Sequence, residues 1–399
     1  PSGSVASALL NKQGFKVCAL EKQHFPRFVI GESLLPHCME MLEEAGFADA
    51  VRAEPSFQFK NGAAFSWGSR YTEFDFTEKF SDGPVTVYQV RRGIFDKILI
   101  DEAAKQGVEV RFGHGVTAFD NSGDLARLSV EADTGESYEL TAKFVLDASG
   151  YGRVLPRLLD LETPSHLPPR QAHFTHIDDN ITHPKFDRSK ILITTHPQHR
   201  DVWIWLIPFG DNRCSIGVVG TPDVLAGESE TVLKKFVYEC PMLKEILDKA
   251  VWENDFPFRS IQGYSANVKS LHGKHFALLG NAAEFLDPVF SSGVTIALHS
   301  AKLAADLLAK QLEGNAVDWD AEFAKPLMIG VNAFRTYVDG WYDFRFQNVV
   351  YAPNRSPEIS RMISSILAGY AWDTENPFVA KSEQRLSTLA ALVGDLKIE

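Results

Sequence analysis

The chain has 399 residues, of which 45% are apolar and 23% charged, the balance of a globular protein long enough for one large or two medium cores. A formal charge of −12 excludes nucleic acid or an anionic membrane surface as the main partner. No apolar run reaches the length of a bilayer span and no secretory leader is visible. The four cysteines (Cys18, Cys38, Cys214, Cys240) lack paired spacing, so a metal centre and a disulfide framework are excluded and a reduced, cytoplasmic setting is expected.

In chain order, Ser4 to Lys12 has helical spacing and many small residues, and FKVCALEK reads as a strand ending at Glu21. An acid closing a strand after a glycine-opened helix is the second half of a dinucleotide fold, where the carboxylate holds ribose hydroxyls. Gly3 stands as the last glycine of G-x-G-x-x-G, with Ser4 after it and Lys22 after the acid. The first strand and the leading glycines are expected in roughly a dozen residues before Pro1. Arg27 and the tripeptide Gly31-Glu32-Ser33 then precede a helix in which Leu35, Cys38, Met39 and Leu42 face inward, with Pro36 in its first turn.

Residues 57–88 alternate polar and apolar in FQFKNGAAFSWG, YTEFDF and TVYQV, the pattern of antiparallel strands. Lys60 lies in the first run between Phe59 and Asn61. Taken alone, such an ammonium either reaches along its stem to water, the ordinary case, or is kept inside for a purpose. A helix starts near Arg92, and a strand over VEVRFGHGVTAF, carrying Val116, follows it. LSVEADTG and YELTAKFVLDASG then form a hairpin returning to the main sheet. It ends in Asp147-Ala148-Ser149-Gly150, a tip small enough to approach a cofactor.

From Gln171 to Val219 long β-type runs take over. Trp203, Trp205 and Ile207 share one face of a strand that Pro208 ends; paired indoles either pack a core or wall a cavity for an aromatic guest. Further on, HFALLG reads as a buried strand and TIALHSAKLAADLLAKQL as a helix, with the small-residue loop GNAAEFLDPVFSSGV between them. The helix start turns backbone N–H groups and a positive dipole end on the loop, Pro288 fixes a turn, and Gly293 lets backbone approach a ligand. Such a loop suits a flat, partly anionic cofactor or a small anion, although taken alone it is more often an ordinary strand-to-helix turn. From Val331 onward the chain reads as helical. With no linker in sight the domains are expected to be discontinuous: 1–56, 89–165 and 265–330 for a cofactor domain, 57–88 and 166–264 for a β-rich substrate domain, and 331–399 for a helical tail.

From Pro1 to about Lys310 these residues resemble the flavin-dependent halogenases, within the FAD monooxygenases of the p-hydroxybenzoate hydroxylase type. Gly3 and Glu21 match the FAD fingerprint, and Arg92, ahead of Phe95-Asp96, matches the FAD-contacting arginine. Trp203 to Pro208 match W-x-W-x-I-P. Phe285, Pro288, Ser291 and Gly293 match F-x-x-P-x-x-S-x-G, a loop that flanks the flavin and holds halide. Lys60 stands where the family carries its essential lysine, which reverses the snorkelling reading. Phe290 takes the place of a glutamate found in tryptophan halogenases, which points to the phenol- and pyrrole-type branch. Asn281 replaces the aspartate that many hydroxylases have.

The resemblance implies an α/β fold: a Rossmann-like FAD-binding domain with an inserted β-sheet substrate domain and a helical C-terminal tail. It implies FAD contacts from Gly3, Ser4, Glu21, Lys22, Arg27, Ser33, Arg92, Val116, Asp147, Ser149, Gly280, Asn281, Asp287, Pro288, Gly293 and Val294. It implies a halide site at Ser291, Ser292 and Gly293, a tunnel lined by Trp203, Trp205 and Phe290, and no metal. In the chemistry it implies, FADH2 from a separate flavin reductase reacts with O2 to give a C4a-hydroperoxide. Chloride or bromide attacks the distal oxygen, and hypohalous acid travels to Lys60. An electron-rich ring, free or tethered to a carrier protein, is then substituted. An FAD-dependent aromatic hydroxylase, an isoprenoid double-bond reductase and a flavin-carrying scaffold stay open as alternatives.

Overall fold

The structure is a computed structural model that describes residues 1–397. Its nucleotide-binding half contains two pairs of parallel strands, Cys18–Glu21 with Glu109–Phe112 and Val145–Asp147 with Phe276–Leu278. Helix Ser2–Lys12 feeds the first pair and packs against the long helix Ser292–Leu312. Small buried residues on both, among them Ala8, Ala301 and Ala304, let the two axes come close. This is the expected α/β, Rossmann-like arrangement.

The run over residues 108–119, expected as one strand, is two. Gly113 has a φ of +77°, and a Cβ there would lie 2.5 Å from the Asp133 carboxylate. The chain turns at that point, so His114–Asp120 starts a separate antiparallel meander with Ala126–Ala132 and Ser137–Ala142. The hairpin is interrupted in the same way: Ser137–Ala142 stays in the meander, and only Val145–Asp147 reaches the parallel strands. Pro36 lies in the turn before its helix, which starts at Cys38.

A seven-stranded sheet forms the second half, in the order Arg259–Gln262, Gln171–Asp178, Arg213–Gly220, Trp203–Pro208, Lys190–Thr195, Gly62–Trp67, Arg70–Asp75. Two distant stretches of chain therefore supply one sheet, joined by the parallel pairing of Lys190–Thr195 with Gly62–Trp67. Every residue of Trp203–Pro208 is buried because both faces of the sheet are covered. Trp203, Trp205 and Ile207 face the large core shared with the nucleotide-binding half. Ile204 and Leu206 face a second cluster that includes Leu233, Phe236 and Leu243 of helices Ser229–Tyr238 and Pro241–Ile246. Gln58–Lys60 leaves this sheet and pairs with Val87–Gln89 in a short ribbon.

Helices Lys325–Tyr342, Arg345–Tyr351, Pro357–Leu367 and Ser382–Val393 form the C-terminal region. All four cysteines are free, and among the described residues no helix is long and apolar enough to cross a membrane.

Candidate active site

A cavity of about 1810 Å³ is walled by the parallel strands, the meander, the seven-stranded sheet and the loop after Phe285. That volume is well above the roughly 300–1,000 Å³ of ordinary small-molecule sites and is on the scale of a dinucleotide. At one end Glu21 closes its strand, as the sequence pattern required. Arg27 bridges the Glu21 carboxylate and Asp96, at 3.2 Å to each. Arg92 grips Asp96 in a fork, Nε to Oδ1 at 2.8 Å and Nη2 to Oδ2 at 3.1 Å, while its Nη1 donates to the Ile30 carbonyl at 2.9 Å. Burial alone would raise the Asp96 carboxyl, but Arg92 and Arg27 outweigh it and hold it below the usual carboxylate range. Residues 27–31 are thus strapped across the start of helix Arg92–Lys105. Gly3 opens helix Ser2–Lys12 on the wall, where a Cβ would come within 3.1 Å of the Ala148 Cβ.

The opposite wall carries the indoles and the loop. Trp203 and Trp205 lie 6.0 Å apart between ring centroids. Trp205 Nε1 donates to Ser215 Oγ at 3.0 Å. Trp203 Nε1 donates to Tyr342 Oη at 3.0 Å, and Tyr342 in turn donates to Asp287 at 2.9 Å. Burial pushes the Asp287 carboxyl up to about 6, against the bonds from Val289 N and Tyr342. Ser291, with φ +56°, sits in the left-handed region immediately before helix Ser292–Leu312, and no side chain caps that helix. Its first-turn N–H groups are left for an anion. Gly293 is on the wall, and a Cβ there would press on the Phe285 ring at 3.0 Å.

Lys60 inverts the usual rule of sides. Phe59 is 46% exposed while Lys60 is 1% exposed. The lysine Nζ donates to Ser33 Oγ and to the Leu34 carbonyl, both at 2.7 Å, and stands 5.6 Å from the Phe76 ring centroid. Among the described residues no carboxylate pairs with it. Burial therefore pulls the ammonium from 10.5 down to about 7, and Cys38 opposes this only in part. Ser33 is on the cavity wall, so the amine sits one hydrogen bond behind it.

Of the sequence-predicted residues, Gly3, Ser4, Glu21, Lys22, Arg27, Ser33, Arg92, Val116, Asp147, Ser149, Asn281, Pro288, Ser291, Gly293, Val294, Trp203 and Trp205 share this one wall. Three positions, Gly280, Asp287 and Phe290, differ from expectation. Gly280 is taken up by helix packing, since a Cβ there would strike the Ala297 Cβ at 2.7 Å. Asp287 is spent on Tyr342 and the turn at Val289. Ser292 is buried, which leaves its expected part to the backbone N–H. Phe290 turns away from the cavity onto Trp341 and Phe346, at 5.7 and 5.3 Å between centroids, so it lines no tunnel. Lys60 lies one hydrogen bond behind the wall, at Ser33. Sequence reasoning missed Asp96, whose clue was its i,i+4 spacing from Arg92, and Tyr264, a wall residue whose buried hydroxyl has no partner. It also missed the pairing of Glu32 with His176, 144 residues away, for which the sequence holds no clue.

The long cavity, the acid at a strand end and the uncapped helix start define a flavin-nucleotide-binding protein. The FAD binding domain family matches residues 1–322, and the chain belongs to it. A tryptophan 2-halogenase from Chondromyces crocatus is 31% identical over 322 residues, 76% of this chain and 58% of that protein. A chlorinase of 1H-pyrrole-2-carbonyl-peptidyl-carrier protein from Pseudomonas fluorescens is 29% identical, over 86% of this chain and 80% of its own. The chain thus spans less than two thirds of the first relative and most of the second. Among solved structures, a flavoprotein/dehydrogenase from Cytophaga hutchinsonii superposes with a TM-score of 0.94 at 44% identity, covering 98% and 96% of the two chains. The myxobacterial chondrochloren halogenase, an FAD-dependent enzyme, superposes with 0.73 at 26% identity, covering 98% and 94%. The resemblance to flavin-dependent halogenases is borne out, and FAD is the cofactor of the family.

Proposed function

We propose that this protein halogenates an electron-rich aromatic ring of phenol or pyrrole type, using reduced FAD, O2 and chloride or bromide. The observation that carries the reading is Lys60: fully buried, without a carboxylate, close to neutrality, and one hydrogen bond behind the cofactor cavity. Bound reduced FAD supplies the oxygen chemistry that turns halide into hypohalous acid. The chain's own part is to bind, orient and exclude. Glu21, Arg27 and Arg92 hold the nucleotide end, while the uncapped N–H groups at Ser292 and Gly293 receive halide. Trp203 and Trp205 wall the ring end so that the substrate does not meet the flavin directly. The Lys60 amine takes the oxidant as a hydrogen-bond donor or as a haloamine and passes halogen to the ring. In this reading 1–56, 89–165 and 265–330 bind FAD, 57–88 and 166–264 face the substrate, and 331–399 is the helical C-terminal region. A separate reductase supplies FADH2, and the pyrrolyl carrier-protein relative supports a carrier-tethered substrate.

The test is Lys60→Met, which keeps the side-chain volume, assayed with a reductase, FAD, bromide and a panel of phenols and pyrroles by mass spectrometry. Brominated product from the native chain and none from the variant, at undiminished oxidation of reduced flavin, is expected. Equal bromination in both removes Lys60 from the reaction.

A further inference from the structure

The relay to Lys60 leaves unused a buried ionisable pair of which one member, Glu32, lines the cavity. Glu32 and His176 are 3% and 5% exposed, and Glu32 Oε1 is 2.7 Å from His176 Nε2. The imidazole is clamped by rings: stacked on Phe256 at 3.8 Å, with the Phe209 centroid at 5.2 Å and that of Phe28 at 6.4 Å. Glu32 forms part of the cavity wall, and its second oxygen, Oε2, has no hydrogen-bond partner among the described residues. That oxygen is open to the cavity, so a donor on a bound ligand can reach it.

The neighbourhood says which part of the ligand that is. Glu21 fixes the ribose end. The wall beside Glu32 is flat and aromatic, with Phe28 on Phe174 at 5.8 Å and Phe174 on Trp205 at 6.1 Å, which suits the ring end of the cofactor. Arg91 and Arg92 are the cations that interact with Glu32, and the Arg259 guanidinium covers Phe28 at 4.7 Å and Phe256 at 5.3 Å.

We propose that Glu32 and His176 are a proton-holding pair for the flavin ring, taking up one proton when the anionic reduced cofactor binds and giving it to the reduction of O2. A second negative charge brought against Glu32 in a poorly solvated cavity raises the proton affinity of the pair. The chemistry requires that proton. Without halide the balance is FADH⁻ + O2 + H⁺ → FAD + H2O2. With halide it is FADH⁻ + O2 + X⁻ + 2 H⁺ → FAD + HOX + H2O, where the flavin and the halide each give up two electrons, oxygen gains all four, and the second proton comes from solvent. Glu32 and His176 hold the proton at Oε2 or the imidazole, within the protein, and need no halogenation to do so.

The experiment is anaerobic titration calorimetry of the full chain with reduced and with oxidised FAD, in phosphate and in Tris, whose ionisation heats differ. Native protein is expected to take up about one proton per reduced FAD and close to none per oxidised FAD. Glu32→Gln and His176→Asn are each expected to lose most of that uptake per reduced FAD bound, with circular dichroism like that of the native chain showing that they fold. Proton uptake by the variants equal to native, or none by the native chain, overturns the proposal. Loss of halogenated product with proton uptake intact would count against the proposed halogenation alone.

Discussion

Keeping an uncompensated ammonium inside the protein has a measurable cost, and Lys60 allows that cost to be read against pH. Its amine titrates near 7 in the fold against 10.5 when unperturbed, with burial as the cause. Between those values the unfolded chain binds the proton that the folded chain does not, so Lys60 makes stability rise with pH across that window, by about 1.4 kcal/mol per unit. Below pH 7 the full cost is present, on the order of 5 kcal/mol, and above 10.5 it vanishes. Lys60→Met removes the titrating group and leaves Ser33 Oγ and the Leu34 carbonyl without their donor, a loss that does not vary with pH. Urea unfolding of the native chain and the variant at pH 7.5 and pH 9 isolates the lysine, because every other titrating group cancels in the difference. The native chain should gain about 2 kcal/mol on the variant between those two pH values. A difference that stays constant with pH would refute the reasoning, since Lys60 would then titrate in the fold as it does in water.

Three further outcomes follow from contacts on the cavity wall. Asp96→Asn leaves Arg92 and Arg27 without their shared carboxylate and should cost about 3 kcal/mol of stability, with a tenfold or greater loss of FAD affinity by fluorescence titration. Gly217→Ala puts a methyl 2.3 Å from the Trp205 ring and should cost about 1–3 kcal/mol in urea unfolding, with a shift of tryptophan emission as the indole is displaced. Phe59→Ser, one residue from Lys60 but on the outer side, should change stability by less than about 0.5 kcal/mol.

Much of the fold was legible because its signals are local. The period of two in Trp203 to Ile207 divides the two cores of the large sheet, and the acid at Glu21 marks a strand end on the cofactor cavity. What could not be read depended on neighbours distant in sequence. Gly113 splits a strand because Asp133 occupies the space beside it. Phe290 follows the aromatic cluster of Trp341 and Phe346 rather than the cavity its neighbours line. Lys60 was ambiguous on local grounds alone: alternation says only that Phe59 and Lys60 point to opposite sides. Ser33, Leu34 and Phe76 decide that the lysine is the inner one. Glu32 was visible in its tripeptide, but its meaning rests on an imidazole supplied by the opposite sheet.

The claim at the centre is that an oxidant made at the flavin is held at Lys60 before it reaches a substrate. The direct measurement is a delayed-substrate single turnover. Protein loaded with reduced FAD is mixed with oxygenated bromide, the flavin is allowed to reoxidise fully, free hypobromite is removed by gel filtration, and only then is a phenol or pyrrole added. The account predicts brominated product from the native chain after the delay and none from Lys60→Met. Equal yields from the two, or product only when substrate is present from the start, would contradict it.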